Sequence, residues 1–237
     1  TAPKFPQPLV HEFILQYADR FNDQEASNLV FQALDAMSVG GIYDQIGGGF
    51  HRYSTDRSWL VPHFEKMLYD NALLSRLYLN AYRLTGKGEY KIVVEETLDY
   101  VLREMTDQQG GFFSAQDADS EGVEGKYFVW TKSEIMQELG QRDGEIVSLY
   151  YGVTDEGNFD GSCILHQVIS ECNLAARCNI STYALDKILT EAKAHLLDVR
   201  SKRIPPERDD KIITAWNGFM IRSFAEAGAT FQNTRYS

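Results

Sequence analysis

The sequence of 237 residues lacks the patterns that several large classes of protein require. Its three cysteines, Cys163, Cys172 and Cys178, are odd in number and form no C-x-x-C pair. A disulfide framework or a four-cysteine zinc site is therefore not expected. No apolar run is long enough to span a bilayer, and no signal-peptide pattern opens the chain. These absences predict a cytoplasmic protein with reduced, partly buried thiols and no membrane partner.

Positive charge is also scarce and is not concentrated in any stripe. The chain has 23 Lys and Arg against 34 Asp and Glu, and its formal net charge is -11. Nucleic acids and anionic membranes attract basic surfaces, so neither is expected as a partner. Apolar residues make up 43% of the chain and aromatic residues 12%. This composition is typical of a globular protein that buries a substantial core.

The motifs of several cofactor and nucleophile classes are incomplete. Arg52 stands where a G-x-G-x-x-G loop needs its last glycine, and no G-x-S-x-G elbow occurs. His63-x-Glu65 opens a deaminase-like zinc pattern, but the P-C-x-x-C that should follow is missing. The acidic run at 117–122 begins like a calcium loop, yet Phe128 occupies the twelfth position, where a bidentate acid is needed. The sequence predicts neither a cofactor nor a metal.

What the chain does contain is a series of helical segments. Apolar residues recur at helical spacing within about 13–21, 22–39, 62–86, 90–105, 131–139, 144–151, 182–200 and 212–231. Two short strands at 111–115 and 126–130 are predicted to pair as a hairpin. A weak repeat, "GGGFHRYS" at Gly47 and "GGFFSAQDADS" at Gly110, places a glycine pair and an aromatic residue after two helices. Repeated helix pairs predict an α/α toroid whose cleft lies where the loops collect.

The stretch from Gly47 to Asn71 combines glycines with many ionisable and aromatic side chains. His51 is expected in the loop and His63 in the first turn of the following helix, where the helix dipole favours neutral imidazole. On that helix His63, Lys66, Met67 and Asp70 would share one face. A neutral histidine there can act as a general base. The alternative is that His63 caps or packs and Lys66 is solvated.

Two further segments carry candidate chemistry. Asp117 and Asp119 lie in the acidic stretch "SAQDADSEGVEGKYFVW", which suits a solvated turn or a carboxylate pair flanking a sugar bond. "RDDKIITAWNGFMIRSFAEAG" places two acids ahead of a helix with Trp216 and Asn217. Acids suit a helix start. An aromatic ring beside an amide also suits the stacking and hydrogen bonding of a sugar ring.

Together these segments resemble a known family. "YDQIGGGFHRYSTDRSWLVPHFEKMLYDNALL", "GGFFSAQDADSEGVEGKYFVWT" and "RDDKIITAWNGFMI", with "GVTDEGNFDGSCILH", are similar to the YyaL family of spermatogenesis-associated proteins over about residues 10–231. The resemblance implies a thioredoxin-like domain followed by an (α/α)6 barrel of the six-hairpin glycosidase type, similar to that of N-acylglucosamine 2-epimerases. Residues 1–237 would then be a single all-α domain, a partial toroid with a short β-hairpin. It would lack the thioredoxin-like domain and the C-terminal part of the barrel.

By this resemblance the cleft binds or processes a carbohydrate by acid/base chemistry, and whether it catalyses a reaction is left open. The catalytic candidates are His51, His63, Asp70 and Asp117. The substrate-binding candidates are Phe50, Tyr53, Trp59, Phe113, Asp119, Trp216 and Asn217, and His63 and Asp117 are predicted to face one cavity. The alternative is a non-catalytic scaffold or binding module. The expected partners are a small sugar-like molecule and the missing thioredoxin-like domain, and an oligomer is compatible with the sequence.

Overall fold

Helices dominate the computed structural model, which describes residues 2–236. Within this range the α-helices are α1 (Pro8–Phe21), α2 (Gln24–Val39), α3 (Leu68–Thr85), α4 (Gly88–Glu104), α5 (Lys132–Tyr151), α6 (Glu171–Cys178), α7 (Thr182–Ser201) and α8 (Thr214–Phe231). A 3-10 turn follows at Thr234–Tyr236. No helix of residues 2–236 has both the length and the apolar character needed to cross a membrane.

Seven strands of two residues each form three small sheets. They are β1 (Tyr53–Ser54), β2 (Pro62–His63), β3 (Lys66–Met67), β4 (Ala115–Gln116), β5 (Asp119–Ser120), β6 (Val123–Glu124) and β7 (Arg208–Asp209). β1 pairs with β2, β5 pairs with β6, and β4 lies between β3 and β7, every pair being antiparallel. The predicted all-α class with a short β-hairpin is confirmed.

The helix ends follow from local chemistry. The carboxylate of Asp23 accepts the backbone N–H of Ala26 and caps α2. Thr131 and Glu134 form a reciprocal capping box at the start of α5. Such caps satisfy backbone donors that have no partner inside the helix. α3 ends at Gly86, whose φ of 69° suits a residue without a Cβ.

The predicted start of the third helix at Pro62 is wrong. Residues 62–67 are extended, and α3 begins only at Leu68. Met67 pairs with Ala115 in β4, so a partner from a distant segment overrides the local helical pattern. The proposed pairing of 111–115 with 126–130 is also wrong, because the hairpin β5–β6 occupies residues 119–124. The short helix α6 was not predicted.

The core is centred on α3. Consecutive helices pack in pairs, α1 with α2 and α3 with α4, as the hairpins of an α/α toroid do. α8 packs along α3, although more than 120 residues separate them in sequence. A first cluster of buried apolar residues joins these helices, a second joins α5, α6 and α7, and a third surrounds Phe64. α3 is thereby held on several sides, which fixes the position of its N-terminal end.

Candidate functional site

The sheet β3–β4–β7 brings the starts of two helices to one place. The chain passes directly from β3 into α3, and from β7 it reaches α8 after four residues. Ala115 in the central strand is the register partner of both Met67 and Asp209. Segments that are far apart in sequence therefore meet at the N-terminal end of α3.

An acidic cavity lies beside this sheet, and we call it the sheet cavity. Its volume is about 260 Å3. The lining contains four carboxylates and one guanidinium, and the residues are Glu65, Ala115, Asp117, Glu207, Arg208 and Asp209. Asp117 is exposed, and one of its oxygens accepts the backbone N–H of Ala118 at 2.6 Å. The sheet cavity favours ligands that offer hydroxyl or cationic donors.

Burial alternates along the segment that enters α3. From 61 to 70 every second residue is buried, including Lys66 and Asp70, whereas His63, Glu65 and Tyr69 are partly exposed. In the part before α3, at 61–67, such alternation is typical of extended chain, in which successive side chains point to opposite sides. The four residues predicted to share one helical face are therefore divided. Lys66 and Asp70 are buried, whereas His63 and Met67 are partly exposed.

Asp70 has a strongly perturbed carboxyl group; it does not line the sheet cavity, but it interacts electrostatically with Glu65, which does. It lies in the first turn of α3 with 7% of its surface exposed, and its Oδ2 atom has no hydrogen-bond partner in the described chain. Burial raises the pKa of Asp70 to about 7; hydrogen bonding with Tyr69 and the charge of Arg52 oppose this, and the charge of Glu65 adds to it. Near neutral pH, a protonated Asp70 is thus present in a large fraction of molecules.

Aromatic and basic side chains connect Asp70 to the exposed part of the site. Arg52 donates to Glu65 at 2.8 Å. Burial and the charge of Asp70 raise the pKa of Tyr69, and Arg52 opposes this. The Tyr69 ring packs on the half-buried ring of Trp216 from α8, with a centroid separation of 4.9 Å. Asp70 and Tyr69 of α3 thus lie close to Trp216 of α8 and to Arg52 and Glu65 of the segment before α3.

His63 is not in the first turn of a helix, because it belongs to β2. Its Nδ1 atom lies 2.6 Å from Oε1 of Glu124, and its Nε2 atom lies 3.9 Å from Oε2 of Glu65. A carboxylate only accepts hydrogen bonds, which places the imidazole proton of a neutral His63 on Nδ1. The ring also stacks on Tyr53, with centroids 5.0 Å apart. His63 therefore links the hairpin β5–β6 to a residue of the sheet cavity.

His51 lies in a different environment from His63. It is buried, its Nδ1 lies 2.8 Å from the carbonyl oxygen of Phe64, and its ring meets Phe64 and Phe128 edge-on. Burial lowers the pKa of His51 to about 3, and the charge of Lys66 acts in the same direction. His51 is therefore a neutral histidine of the interior at physiological pH.

A buried ionic network lies next to His51 and was not predicted from the sequence. Asp44 accepts two hydrogen bonds from Arg200 at 2.8 and 2.9 Å and one from Lys66 at 2.8 Å. Burial alone would raise the pKa of Asp44, but the charges of Arg200 and Lys66 hold it well below its usual range. Burial lowers the pKa of Lys66 to about 8. The idea of a solvated Lys66 is wrong, because its side chain is only 1% exposed.

This network explains the first glycine of the triplet. A Cβ on Gly47 would lie 2.0 Å from Nη2 of Arg200, and a Cβ on Gly48 would lie 2.3 Å from the carbonyl oxygen of Glu96. The chain needs glycine here because other groups approach the backbone closely. The sequence contained the glycines, but the distant arginine that requires one of them could be found only in the fold.

The other predicted binding residues do not form one aromatic wall. Phe50 is fully buried and stacks on Tyr78, and Trp59 is 3% exposed with the Lys4 ammonium over its ring at 4.1 Å. Phe113 is 8% exposed and covered by the Arg208 guanidinium, 4.0 Å from its ring centroid. These rings are parts of the packed structure rather than sides of an open cleft.

Asn217 and Asp119 have positions that suit structural roles. Asn217 accepts the backbone N–H of Phe112 at 2.7 Å and donates to its carbonyl at 2.9 Å, so it holds that loop on α8. Asp119 is exposed in β5, opposite Glu124. Among residues 2–236 no group of three or more His, Cys, Asp and Glu has the arrangement of a metal site. All three cysteines are free thiols.

Sequence comparison defines the class of protein. No protein-family model matches the sequence. Human spermatogenesis-associated protein 20 is 36% identical to the chain over 263 aligned positions, which cover 99% of the chain and 34% of the human protein. The resemblance predicted from the motifs is confirmed, and the chain spans about a third of the length of the human relative that it matches.

Solved structures with a similar helical arrangement are more distant. The α-mannanase BT2949 of Bacteroides thetaiotaomicron, of glycoside hydrolase family 76, has 14% identity and a TM-score of 0.44, covering 100% of this chain and 55% of the mannanase. The cellobiose 2-epimerase of Spirochaeta thermophila has 16% identity and a TM-score of 0.43, covering 100% of this chain and 72% of the epimerase.

Proposed function

We propose that the sheet cavity binds a carbohydrate and that Asp70 acts there as a general acid. The observation that supports this most is the state of Asp70, a carboxyl group with a pKa of about 7 and one oxygen without a partner in the described chain. Near neutral pH a carboxyl group with this pKa is present in both its protonated and its ionised form, so it can donate its proton. In glycoside hydrolysis such a group protonates the leaving oxygen while a second carboxylate acts as base or nucleophile.

Glu65 is the second carboxylate in this proposal. It lines the sheet cavity, and its charge contributes to the raised pKa of Asp70. It forms an ion pair with Arg52 at 2.8 Å. Glu65 thus has a cationic partner, whereas Asp70 is buried with one oxygen that has no partner in the described chain, and a general acid and its partner carboxylate need different environments of this kind. His63, 3.9 Å from Glu65, positions this carboxylate rather than exchanging protons with the ligand.

The ring surface of the site comes from Tyr69 and Trp216. Their rings pack together 4.9 Å apart at the junction of α3 and α8, and both side chains remain partly exposed. Aromatic faces next to hydrogen-bonding groups are how proteins hold the apolar face of a sugar ring. Asp117 and Glu207, which line the sheet cavity, offer carboxylate acceptors for sugar hydroxyls.

The test is a thermal-shift screen of the protein with free sugars and glycosides, followed by analysis of the mixtures for new sugar products. A ligand at a hundredfold excess over its Kd stabilises the folded state by about 2.7 kcal/mol. We expect Trp216→Ala to lose the shift. We expect Asp70→Asn to keep the shift and to lose any turnover, because the amide binds but cannot donate the proton.

The matched control is Asp19→Asn, which changes an exposed aspartate on α1 away from the sheet cavity. This variant should behave as the wild type in both measurements. Turnover retained by Asp70→Asn would refute its role as the acid. If no sugar or glycoside shifts the melting temperature, the carbohydrate proposal fails, and the non-catalytic binding module becomes the better description.

A further inference from the structure

A second cavity lies between helices, apart from the sheet cavity, and shares no lining residue with it. Its volume is about 480 Å3, and its walls come from α2, α4, α5 and α7. We call it the interhelical cavity. None of the candidate residues predicted from the sequence lines it. A space of this size accommodates a small organic molecule.

The inner wall of the interhelical cavity is built from tyrosines. Tyr43, Tyr150 and Tyr151 line it and are 3%, 6% and 5% exposed. The Tyr43 hydroxyl donates to Glu96 at 2.6 Å, and the Tyr150 hydroxyl donates to Glu171 at 3.3 Å. The hydroxyl of Tyr151 differs from these, because no group of residues 2–236 forms a hydrogen bond with it. The hydroxyl of this mostly buried tyrosine, on the wall of the cavity, can accept a hydrogen bond from a ligand.

The rim of the interhelical cavity is strongly acidic. Five carboxylates and two ammonium groups line it. Lys87 pairs with Asp35 at 3.2 Å and Lys193 pairs with Glu96 at 2.6 Å, so both cations are already neutralised. The three remaining carboxylates are exposed and have no ion pair within the described chain; they are Glu89, Glu171 and Asp186. The rim therefore carries about three uncompensated negative charges.

We propose that the interhelical cavity binds an aliphatic diamine or polyamine. One ammonium group would sit against the tyrosine rings and donate a hydrogen bond to the Tyr151 hydroxyl. Such a cation is attracted by the electron-rich aromatic faces around it. The second ammonium group would reach Glu171 and Asp186 at the rim. The methylene chain between them suits the apolar part of the wall, which includes Ile92 and Leu189.

The experiment is isothermal titration calorimetry of the protein with spermidine. We expect saturable binding of one spermidine per chain in the wild type. Tyr151→Phe removes only the hydroxyl and should weaken binding several-fold. The double variant Glu171→Gln with Asp186→Asn removes two rim charges and should raise the Kd at least about tenfold, since each charge lies close to the ammonium group. 1,8-Octanediol has a similar chain without charge and should give no saturable heat.

A matched double variant separates specific binding from general attraction to an acidic protein. Asp19→Asn with Glu25→Gln removes two exposed charges from α1 and the start of α2, and neither residue lines the interhelical cavity. This control should leave the Kd within about twofold of the wild type, because neither charge lines the cavity and salt screens exposed charges. Absence of saturable heat in the wild type would overturn the proposal. So would equal weakening in the rim variant and the control.

Discussion

Replacement of Asp70 by asparagine should stabilise the protein above neutral pH. The folded protein keeps the proton of Asp70 until about pH 7, whereas the ordinary pKa of an aspartate side chain is 3.8. Between these values the folded state binds more protons than the unfolded chain, so the free energy of unfolding falls as the pH rises. Above about pH 7 the folded protein holds a buried, incompletely paired carboxylate, and the resulting loss in the free energy of unfolding persists.

The magnitude follows from the difference between the two pKa values. Each pKa unit corresponds to about 1.36 kcal/mol, so the cost of ionising Asp70 in the folded protein has an upper bound of about 4 kcal/mol. Water that enters the site when the Asp70 carboxylate forms will reduce the cost of ionisation. Asparagine has nearly the same shape and no charge, so Asp70→Asn removes this cost. We expect the stability gain of the variant to grow by about 1–3 kcal/mol between about pH 5 and pH 8.

The assay is urea unfolding of the wild type and Asp70→Asn at several pH values across this range. The control is Asp19→Asn, whose carboxylate is exposed and should give a difference that does not change with pH. A stability difference between wild type and Asp70→Asn that is constant from about pH 5 to pH 8 would refute the reasoning. A variant that is less stable than the wild type at about pH 8 would show that the ionised carboxylate has a partner that stabilises it.

Other substitutions and conditions test the remaining structure. Asp44→Asn should cost about 3–5 kcal/mol in urea unfolding because it leaves two buried cations uncompensated, and Lys66→Met should cost clearly less. Gly125→Ala places a Cβ 2.5 Å from the Phe64 ring at a φ of 76°. Gly122 has a similar φ of 74°, but a Cβ there meets open space. The Gly125→Ala variant should therefore be less stable than the Gly122→Ala variant by about 1–3 kcal/mol. Calcium added to metal-free protein should leave the melting temperature unchanged, because acids of the hairpin loop already pair with cationic or histidine side chains. Reductant should also leave the melting temperature unchanged, since all three cysteines are free.

Stability and the proposed function are connected at Asp70. A group that must be protonated near neutral pH has to be buried without full compensation, and this destabilises the folded protein once the proton is lost. Functional sites often carry such costs, and substitutions that relieve them tend to stabilise the protein and remove its activity. The same variant thus tests both the electrostatics of the site and the proposed role of its acid.

The sequence by itself determined most of the helices and the family. The segments 22–39, 90–105, 182–200 and 212–231 correspond closely to α2, α4, α7 and α8, because apolar spacing, capping residues and glycine stops are local signals. The division of 131–151 at Gly140 also follows from local chemistry, since this residue has a φ of 75° inside α5. The long motifs, read together, predicted the resemblance to spermatogenesis-associated protein 20.

The tertiary structure alone decided the conformation and roles of residues 62–67. In sequence they continue the apolar pattern of α3, but residues 62–63 pair with β1 and residues 66–67 pair with β4. The extended chain sends Lys66 inward to Asp44 and leaves His63 and Glu65 near the sheet cavity. Arg200 reaches the same Asp44 from 156 positions away. Contacts of this kind depend on the packing of α3, α7 and β4, and no local pattern of side chains specifies them.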